Sequence, residues 1–405
     1  MLPDLLKKNN RLRLAFLLGS LAILGPLTID MYLPSFPTIV EDYGTTASLV
    51  QISLTTCLLG LGAGQLVIGP MSDVIGRRKP LVIFLIVYLI ASVICSFAPN
   101  IYFFIAARFI QGFSAAGGIV ISRAIVRDVY SGKELTKFFA LLMLVNNLGP
   151  ILAPVAGSTI LRFGNWNIVF LVLACVGVVL SLIVSLRLTE TLPPEKRVPS
   201  NIGQILKNFG SLLKDRQFRG YALTQGFIVA GIFAYVSGTP FVYQNIYGVS
   251  PTTFSLLFGM NGIALMIGSQ LVGRYADVLS EKTFLQIGLF IANISGIILL
   301  IALLLQAPLL AIVIPIFFFV SSIGIISTTS FSLAMDTQGH IAGSASALLG
   351  LLPFILGSIS APLVGIAGEQ TAIPMGAIMF LASFLALISY YGLVRRGRRV
   401  IGSPQ

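Results

Sequence analysis

Charge is what this chain lacks most. Only 10% of its 405 residues are Asp, Glu, Lys or Arg, while 56% are hydrophobic and the mean hydropathy is +0.95. An ordinary globular domain carries about 25% charged residues, so a soluble chain this poor in charge could not cover its own surface. Hydrocarbon is therefore the expected main solvent and the protein is expected to be integral to a membrane. Histidine is nearly missing: His340 is the only one, and it reads as a solvated side chain near a connection rather than a proton relay. With no paired metal ligands, a membrane-embedded enzyme would have little chemistry to draw on; no metal, cofactor or catalytic residue is expected. The three cysteines, Cys57, Cys95 and Cys175, fall inside apolar segments at unrelated spacings, which excludes a disulfide framework. They read as small packing residues. No G-x-x-x-x-G-K-[ST] loop is present, so nothing here would hold the nucleotide of an ATP-driven pump. The alternating strands of about 10 residues that build an outer-membrane barrel are absent as well.

What is present is a succession of long apolar runs. They fall at 13–39, 47–72, 80–98, 101–128, 136–161 and 166–188, then at 218–246, 252–278, 283–306, 308–334, 341–367 and 371–394. Each is long enough to cross a core of about 30 Å at about 1.5 Å per residue. Helices satisfy their backbone groups internally, as hydrocarbon requires. The predicted fold class is all-α, with twelve transmembrane helices in two six-helix bundles. "KKNNRLR" precedes the first run, but that run is too long for a signal peptide and lacks a small-residue cleavage site, so it reads as a retained helix.

The net charge of +12 is distributed over alternate connections. Basic residues precede the first run (Lys7, Lys8, Arg11, Arg13), separate the second from the third (Arg77, Arg78, Lys79), and close the chain (Arg395, Arg396, Arg398, Arg399). The opposite connections hold almost none, Arg162 excepted, and Arg108 lies within a span. The positive-inside rule puts both termini in the cytoplasm, for a bacterial inner (cell) membrane protein. Nucleic-acid binding would need the basic residues on one soluble face, so no nucleic-acid partner is expected.

The longest polar interval, 190–217, divides the chain into an N-terminal bundle (1–189), a linker, and a C-terminal bundle (218–405). Within the linker, Ile202, Ile205, Leu206, Phe209, Leu212 and Leu213 keep helical spacing, with Lys207, Lys214 and Arg216 between them. That pattern suits an amphipathic helix on the inner leaflet; a calmodulin-like target shares it. The halves echo each other. "GPMSDVIGRRKPL" beginning at Gly69 corresponds to "GRYADVLSEKTFL" beginning at Gly273, and "APVAG" at 153–157 to "APLVG" at 361–365. Duplicated bundles with a site at their interface are the architecture of many secondary transporters, and this favours alternating access over a passive channel.

"GPLTIDMYLPSFPTIV", residues 25–40, sets an acid inside the first span. Pro34 follows Asp30 by four residues and cannot donate to its carbonyl. Asp30 lies ~16 Å below the outer end of its helix and Arg108 ~12 Å below the outer end of the fourth. Charges at that depth face an interior and find partners, so the two are expected to communicate directly or through water; a static ion pair between helices is the plainer alternative. Desolvation favours the protonated acid and a nearby cation favours the anion. A conformational change could shift the balance by roughly 3 kcal/mol, comparable to the ~2.3 kcal/mol of one charge crossing 100 mV. Gln111 follows Arg108 by one turn. Tyr32, Phe36, Asn146 and Asn147 are candidates for lining a cavity for a mostly apolar small molecule, although each could instead meet lipid or a neighbouring helix. Tyr235, Phe241, Tyr243 and Tyr247 could form an opposite wall or serve as interface anchors. Gly69, Asp73, Gly76, Arg77, Arg78 and Asp128 could make a charge cluster that closes the cytoplasmic side, or simply a topogenic loop. Gly149, Pro150, Pro154 and Gly157 are expected to bend or loosen span five.

These residues resemble the major facilitator superfamily, specifically its twelve-span drug:proton antiporters. "GPMSDVIGRRKPL" is similar to the superfamily's motif between spans two and three, with Val74 where a basic residue is usual. "RFIQGFSAA" at 108–116 is similar to the span-four motif, whose arginine is associated with proton coupling. "GPILAPVAGS" at 149–158 is similar to the antiporter motif of span five, with Ala153 and Ser158 where glycines are usual. "IDMYLPSFP" resembles the first span of the bicyclomycin-resistance (Bcr/CflA) exporters. The resemblance implies a monomeric, proton-driven exporter of small drugs or metabolites in the lipid bilayer, with Asp30 and Arg108 in the coupling centre and Gln111 and Asn146 near substrate. An importer of a sugar or another metabolite with the same fold is the alternative.

Overall fold

Backbone N–H and C=O groups find no water in hydrocarbon, and this chain pairs them within helices. The computed structural model describes residues 8–130, 132–197, 202–336, 338 and 341–395, and among them there is no strand. The expectation for His340 falls outside the described residues.

The first span is a helix in pieces: α1 (Lys8–Ala22), α2 (Leu24–Asp30), a 3-10 turn (Leu33–Ser35) and α3 (Phe36–Tyr43). Pro34 explains the break. Its ring nitrogen cannot donate to the Asp30 carbonyl, and the next amide, Ser35 N, bonds Tyr32 O at 2.9 Å instead. Pro37 sits in the first turn of α3, where a missing N–H costs little. The helix therefore resumes, and the span runs to Tyr43, beyond the expected end at residue 39.

Five long helices follow: α4 (Ala47–Ile75), α5 (Arg78–Ser96), α6 (Ile101–Val129), α7 (Gly132–Ile160) and α8 (Asn167–Arg187). After them come the shorter α9 (Ile202–Lys214), then α10 (Arg216–Phe241), α11 (Pro251–Arg274), α12 (Glu281–Leu304), α13 (Leu309–Met335), α14 (Ala342–Leu363) and α15 (Ile373–Ser389). Side chains mark several starts: Asn100 accepts the amide of Phe103 at 2.9 Å, and Asp215 accepts those of Gln217 and Phe218. Eleven of these elements are long and apolar enough to cross a membrane; α7, at 29 residues with its apolar part at Leu148–Ile160, is the twelfth.

The faces of α5 show how the sequence sorts itself. Ile83, Ile86 and Ile90 are exposed, as lipid-facing residues are, while Leu81, Leu85, Tyr88, Ser92 and Cys95 turn inward at helical spacing. Beyond its basic first turn, Tyr88, Ser92 and Ser96 sit inside.

Contacts divide the chain into two compact units. The first comprises the described residues of Met1–Thr45 and Thr56–Asn201, the second those of Thr46–Thr55 and Ile202–Gln405. In the first, α5 packs on α6 and α8, and α1 and α2 pack on α6 and α7. In the second, α10 packs on α13, α14 and α15, while α13 also packs on α11 and α12. Helix α9 buries Phe209 and Leu212 and lies against α10 and α14, with Asn208 Nδ2 donating to Ser344 Oγ at 3.1 Å. Part of its apolar face thus has protein, rather than lipid, as its partner.

Candidate functional site

Three described charged side chains of the first unit are buried, Arg108, Arg77 and Asp30, with 0%, 4% and 5% of their surface exposed, and of these Arg108 and Asp30 lie within spans. Their helices set the geometry. Arg108 projects from the first third of α6 and its guanidinium lies 4.2 Å from the centre of the Tyr32 ring and 5.5 Å from that of Phe170. Its Nη2 donates to the Thr28 carbonyl at 3.0 Å, and its Nη1 donates to Gln111 Oε1. The Gln111 amide then donates to Ser92 Oγ at 2.8 Å, Ser92 Oγ donates to the Tyr88 carbonyl, and the Tyr88 hydroxyl meets Thr28 Oγ1 at 2.9 Å. A ring of polar groups thus joins α6, α5 and α2. Cys95 lies on it, with Sγ 3.9 Å from Gln111 Oε1.

Asp30 stands outside that ring. Arg108 grips the chain on both sides of it, at the Thr28 carbonyl and at the Tyr32 ring, yet forms no ion pair with the carboxylate; the described ion pairs of this unit join Arg77 to Asp73 and Asp128. The static Asp30–Arg108 bridge is therefore absent. Arg108 keeps Nε buried and without a hydrogen-bond partner. An acid and a base share one low-dielectric interior without neutralising each other, an arrangement that costs free energy and marks functional sites.

Tyr32 and Phe36 are fully buried. Tyr32 packs on Phe36, Phe170 and Phe104 with ring centres 5.0, 5.6 and 6.4 Å apart. They form the aromatic support of Arg108 rather than an open wall. Asn146 is half-buried on α7, and the side chain of Asn147 lies outside those described.

Helix α7 continues through Pro150 and Pro154, whose missing amides leave the carbonyls of residues 146 and 150 without their usual backbone donors. It comes close to the broken first span. Gly149 faces Pro26, and Gly157 lies so near Met31 that an added Cβ would fall inside the envelope of that carbonyl oxygen. Met31 follows Asp30, so the glycine contact positions the break beside the acid.

The second cluster lies at the turn from α4 to α5. Gly76, at φ +105°, makes that turn in a conformation suited to glycine. The guanidinium of Arg77 donates through Nε and Nη2 to the two oxygens of Asp128 at 2.8 and 3.3 Å, and through Nη1 to Asp73 Oδ1 at 2.5 Å and Ser72 Oγ at 2.8 Å. Burial opposes the charge, but hydrogen bonds to Asp128 and Asp73 outweigh it and raise the Arg77 pKa. Arg78 donates to the Ser185 carbonyl, and Gly69 approaches Val120 on α6. The sequence reading missed Glu190 and Thr191. Glu190 accepts the amides of Arg77 at 2.8 Å, Arg78 at 3.1 Å and Leu192 at 3.0 Å; Thr191 Oγ1 donates to Asp128 Oδ2 at 3.2 Å. An acid just past the end of a span, inside a basic linker, was the available signal.

In the second unit Tyr235, Phe241 and Tyr243 are buried. Tyr235 stacks on Phe258 with centres 5.2 Å apart and accepts the Asn261 amide at 2.8 Å, so it belongs to a packed interior. Tyr247 donates to the Ala307 carbonyl at 2.8 Å.

The model of the Major Facilitator Superfamily matches residues 18–362. The chain is 56% identical over 389 residues to an uncharacterized MFS-type transporter, YdgK, of Bacillus subtilis (strain 168), covering 96% of each. It is 33% identical over 385 residues to a bicyclomycin resistance protein homolog of Haemophilus influenzae, covering 95% of this chain and 97% of that one. In fold it is similar to a bacterial homolog of the human lysosomal transporter Spinster in an inward-facing, unoccupied conformation, with a TM-score of 0.75 at 14% identity over 98% of this chain and 100% of the other.

Proposed function

The chain belongs to the Major Facilitator Superfamily, as an integral membrane transporter and not an enzyme, and from that premise we propose that it is a proton-coupled antiporter exporting small, largely apolar drugs or metabolites by alternating access. The observation that carries the reading is Asp30: a buried acid at a helix break, next to a cation that holds its chain but not its carboxylate. An ion pair would fix the charge of both groups. An unpaired acid can take up a proton when its surroundings dry and release it when water or a cation returns.

In the proposed cycle Asp30 is the proton carrier and Arg108 the fixed charge that senses its state. Protonation removes the attraction between them. Because Arg108 is tied to Thr28 and Tyr32, α2 and the 3-10 turn shift with it. Gln111, Asn146 and Asn147 would offer hydrogen bonds to the cargo, and Tyr32 and Phe36 would reach it when the turn rearranges. The Gly149–Pro150–Pro154–Gly157 stretch keeps α7 against the moving piece. The Asp73–Arg77–Asp128 node, with Gly69, Gly76 and Arg78, would act as the cytoplasmic gate. Two six-helix bundles, 1–189 and 218–405, would rock about the 190–217 linker in a bacterial cell membrane, as a monomer with both termini cytoplasmic. A bicyclomycin resistance homolog among the relatives supports a drug as cargo.

The test is transport by the purified protein in proteoliposomes, with chloramphenicol and bicyclomycin as probes. An imposed proton gradient should drive the drug against the direction of proton flow, and collapsing the gradient should stop accumulation. Flux indifferent to the gradient would reject the coupling.

A further inference from the structure

The polar groups at the end of α8 do more than finish a helix. Residues 190–192 meet two other helix ends: Glu190 accepts the first amides of α5, at Arg77 and Arg78, and Thr191 holds Asp128 at the end of α6. Arg77 then reaches from its own anchored backbone to Asp128 and back to Ser72 and Asp73 on α4. The bonds close a ring that runs Glu190, Arg77, Asp128, Thr191. Gly76 is part of the fit. A Cβ there would lie 2.6 Å from Glu190 Oε2 and 2.9 Å from Arg197 Nη2, in the space the carboxylate occupies.

A carboxylate on the first amides of a helix is favoured by their orphan N–H groups and by the helix dipole. Here it also fixes the backbone from which Arg77 aims its fork. A planar guanidinium engages two carboxylates only when its base is held at one angle. We infer that Glu190 is a positioning residue of the Arg77 node, and that Glu190 and Thr191 make the start of the interdomain linker a working part of that node rather than a tether beside it. The inference rests on the proposed gating role. When the node opens, Asp128 must leave Arg77 and Thr191 together, so Thr191 at the start of the linker is released in the same event.

The experiment compares wild type, Glu190→Gln, Gly76→Ala, Asp128→Asn and the Glu190→Gln/Asp128→Asn pair, each full length in nanodiscs, by amide hydrogen exchange. Glu190→Gln should raise exchange about tenfold at residues 77 and 78 and also in the last turn of α6, 125–129, which Glu190 does not touch. Gly76→Ala should reproduce this with Glu190 intact. In the Asp128→Asn background Glu190→Gln should add less than about twofold at 125–129. In proteoliposomes, Glu190→Gln should change the maximal rate of chloramphenicol transport and leave KM within about twofold. Exchange confined to 77, 78 and 192, fully multiplicative effects in the pair, or a KM that rises as the rate falls would each overturn the inference. A wild type that moves no chloramphenicol would defeat the cargo proposal alone, because the exchange and pair measurements need no cargo.

Discussion

Replacing Gly157 by alanine tests whether the contact beside the acid matters. The new Cβ would lie 2.9 Å from the carbonyl carbon of Met31 and 3.4 Å from its Cα. Ordinary carbon–carbon contact begins at about 3.5 Å, so α7 and the helix break must separate by at least about 0.6 Å, and by more at the oxygen. Overpacking against backbone costs about 1–3 kcal/mol, and alanine returns about 1 kcal/mol of helix propensity. A net loss of about 0–2 kcal/mol remains, against the gain of about 1 kcal/mol that alanine brings where there is room, and in a chain of this size that difference separates the two melting temperatures by a few degrees. Gly210→Ala is the control: that glycine lies in α9 with nothing within 4 Å of its added Cβ, so its variant should melt at or above wild type. Thermal unfolding of the three proteins in one detergent measures the effect. Transport should fall further than the stability loss explains, because the displaced carbonyl adjoins Asp30. Gly157→Ala melting with Gly210→Ala, at wild-type flux, would refute the reasoning.

Arg77→Lys keeps the charge but loses the fork. At least two charge-assisted bonds disappear, each worth about 1.5–3 kcal/mol where buried, with less on the Asp73 side, which is 45% exposed; about 2–4 kcal/mol should be lost from the node, and wild-type amide protection at 125–129 would contradict this. Arg108→Lys cannot serve Thr28 O, Gln111 and the Tyr32 face together, so gradient-driven export should fall at least about tenfold; full export would show that the charge alone suffices. Burial alone would raise the pKa of Glu190, but the amides of Arg77, Leu192 and Arg78, helped by Arg197, outweigh it and hold the carboxyl below its ordinary value. Arg197 is the charged side chain that faces it, and Asp128 is reached through the neighbouring Thr191. The sign follows: the stability it lends is complete above about pH 4.3 and is lost only as pH falls through the lower folded value. Protection at residues 77 and 78, corrected for intrinsic rates, should stay level between pH 7 and pH 5, and a loss in that window would contradict the assignment.

Much of this architecture was legible in the chain because its signals are local. Twelve apolar runs gave the spans, since length and hydropathy decide membrane crossing. Pro34 announced the break beside Asp30, and Asp73 and Arg77 were one helical turn apart. Asp128 could be named as their partner because repeated basic turns placed both on one side. Glu190 was out of reach: its contact with Arg77 spans 113 residues and depends on the path of the chain after α8. Whether Tyr32 faces a cavity, lipid or another helix is open in the sequence because the face it presents is set by the 3-10 turn, whose angle no periodicity reveals. The Tyr235–Asn261 bond was missed for a similar reason, since an amide inside α11 carries no mark of its partner on α10.

The claim that a proton on Asp30 is exchanged for cargo is tested most directly by counting protons. Purified wild-type protein in weakly buffered detergent, mixed with chloramphenicol and a pH-indicating dye, should release protons in step with binding. Asp30→Asn should bind the drug and release none. Release from Asp30→Asn equal to that of wild type would place the exchanged proton elsewhere and contradict the account.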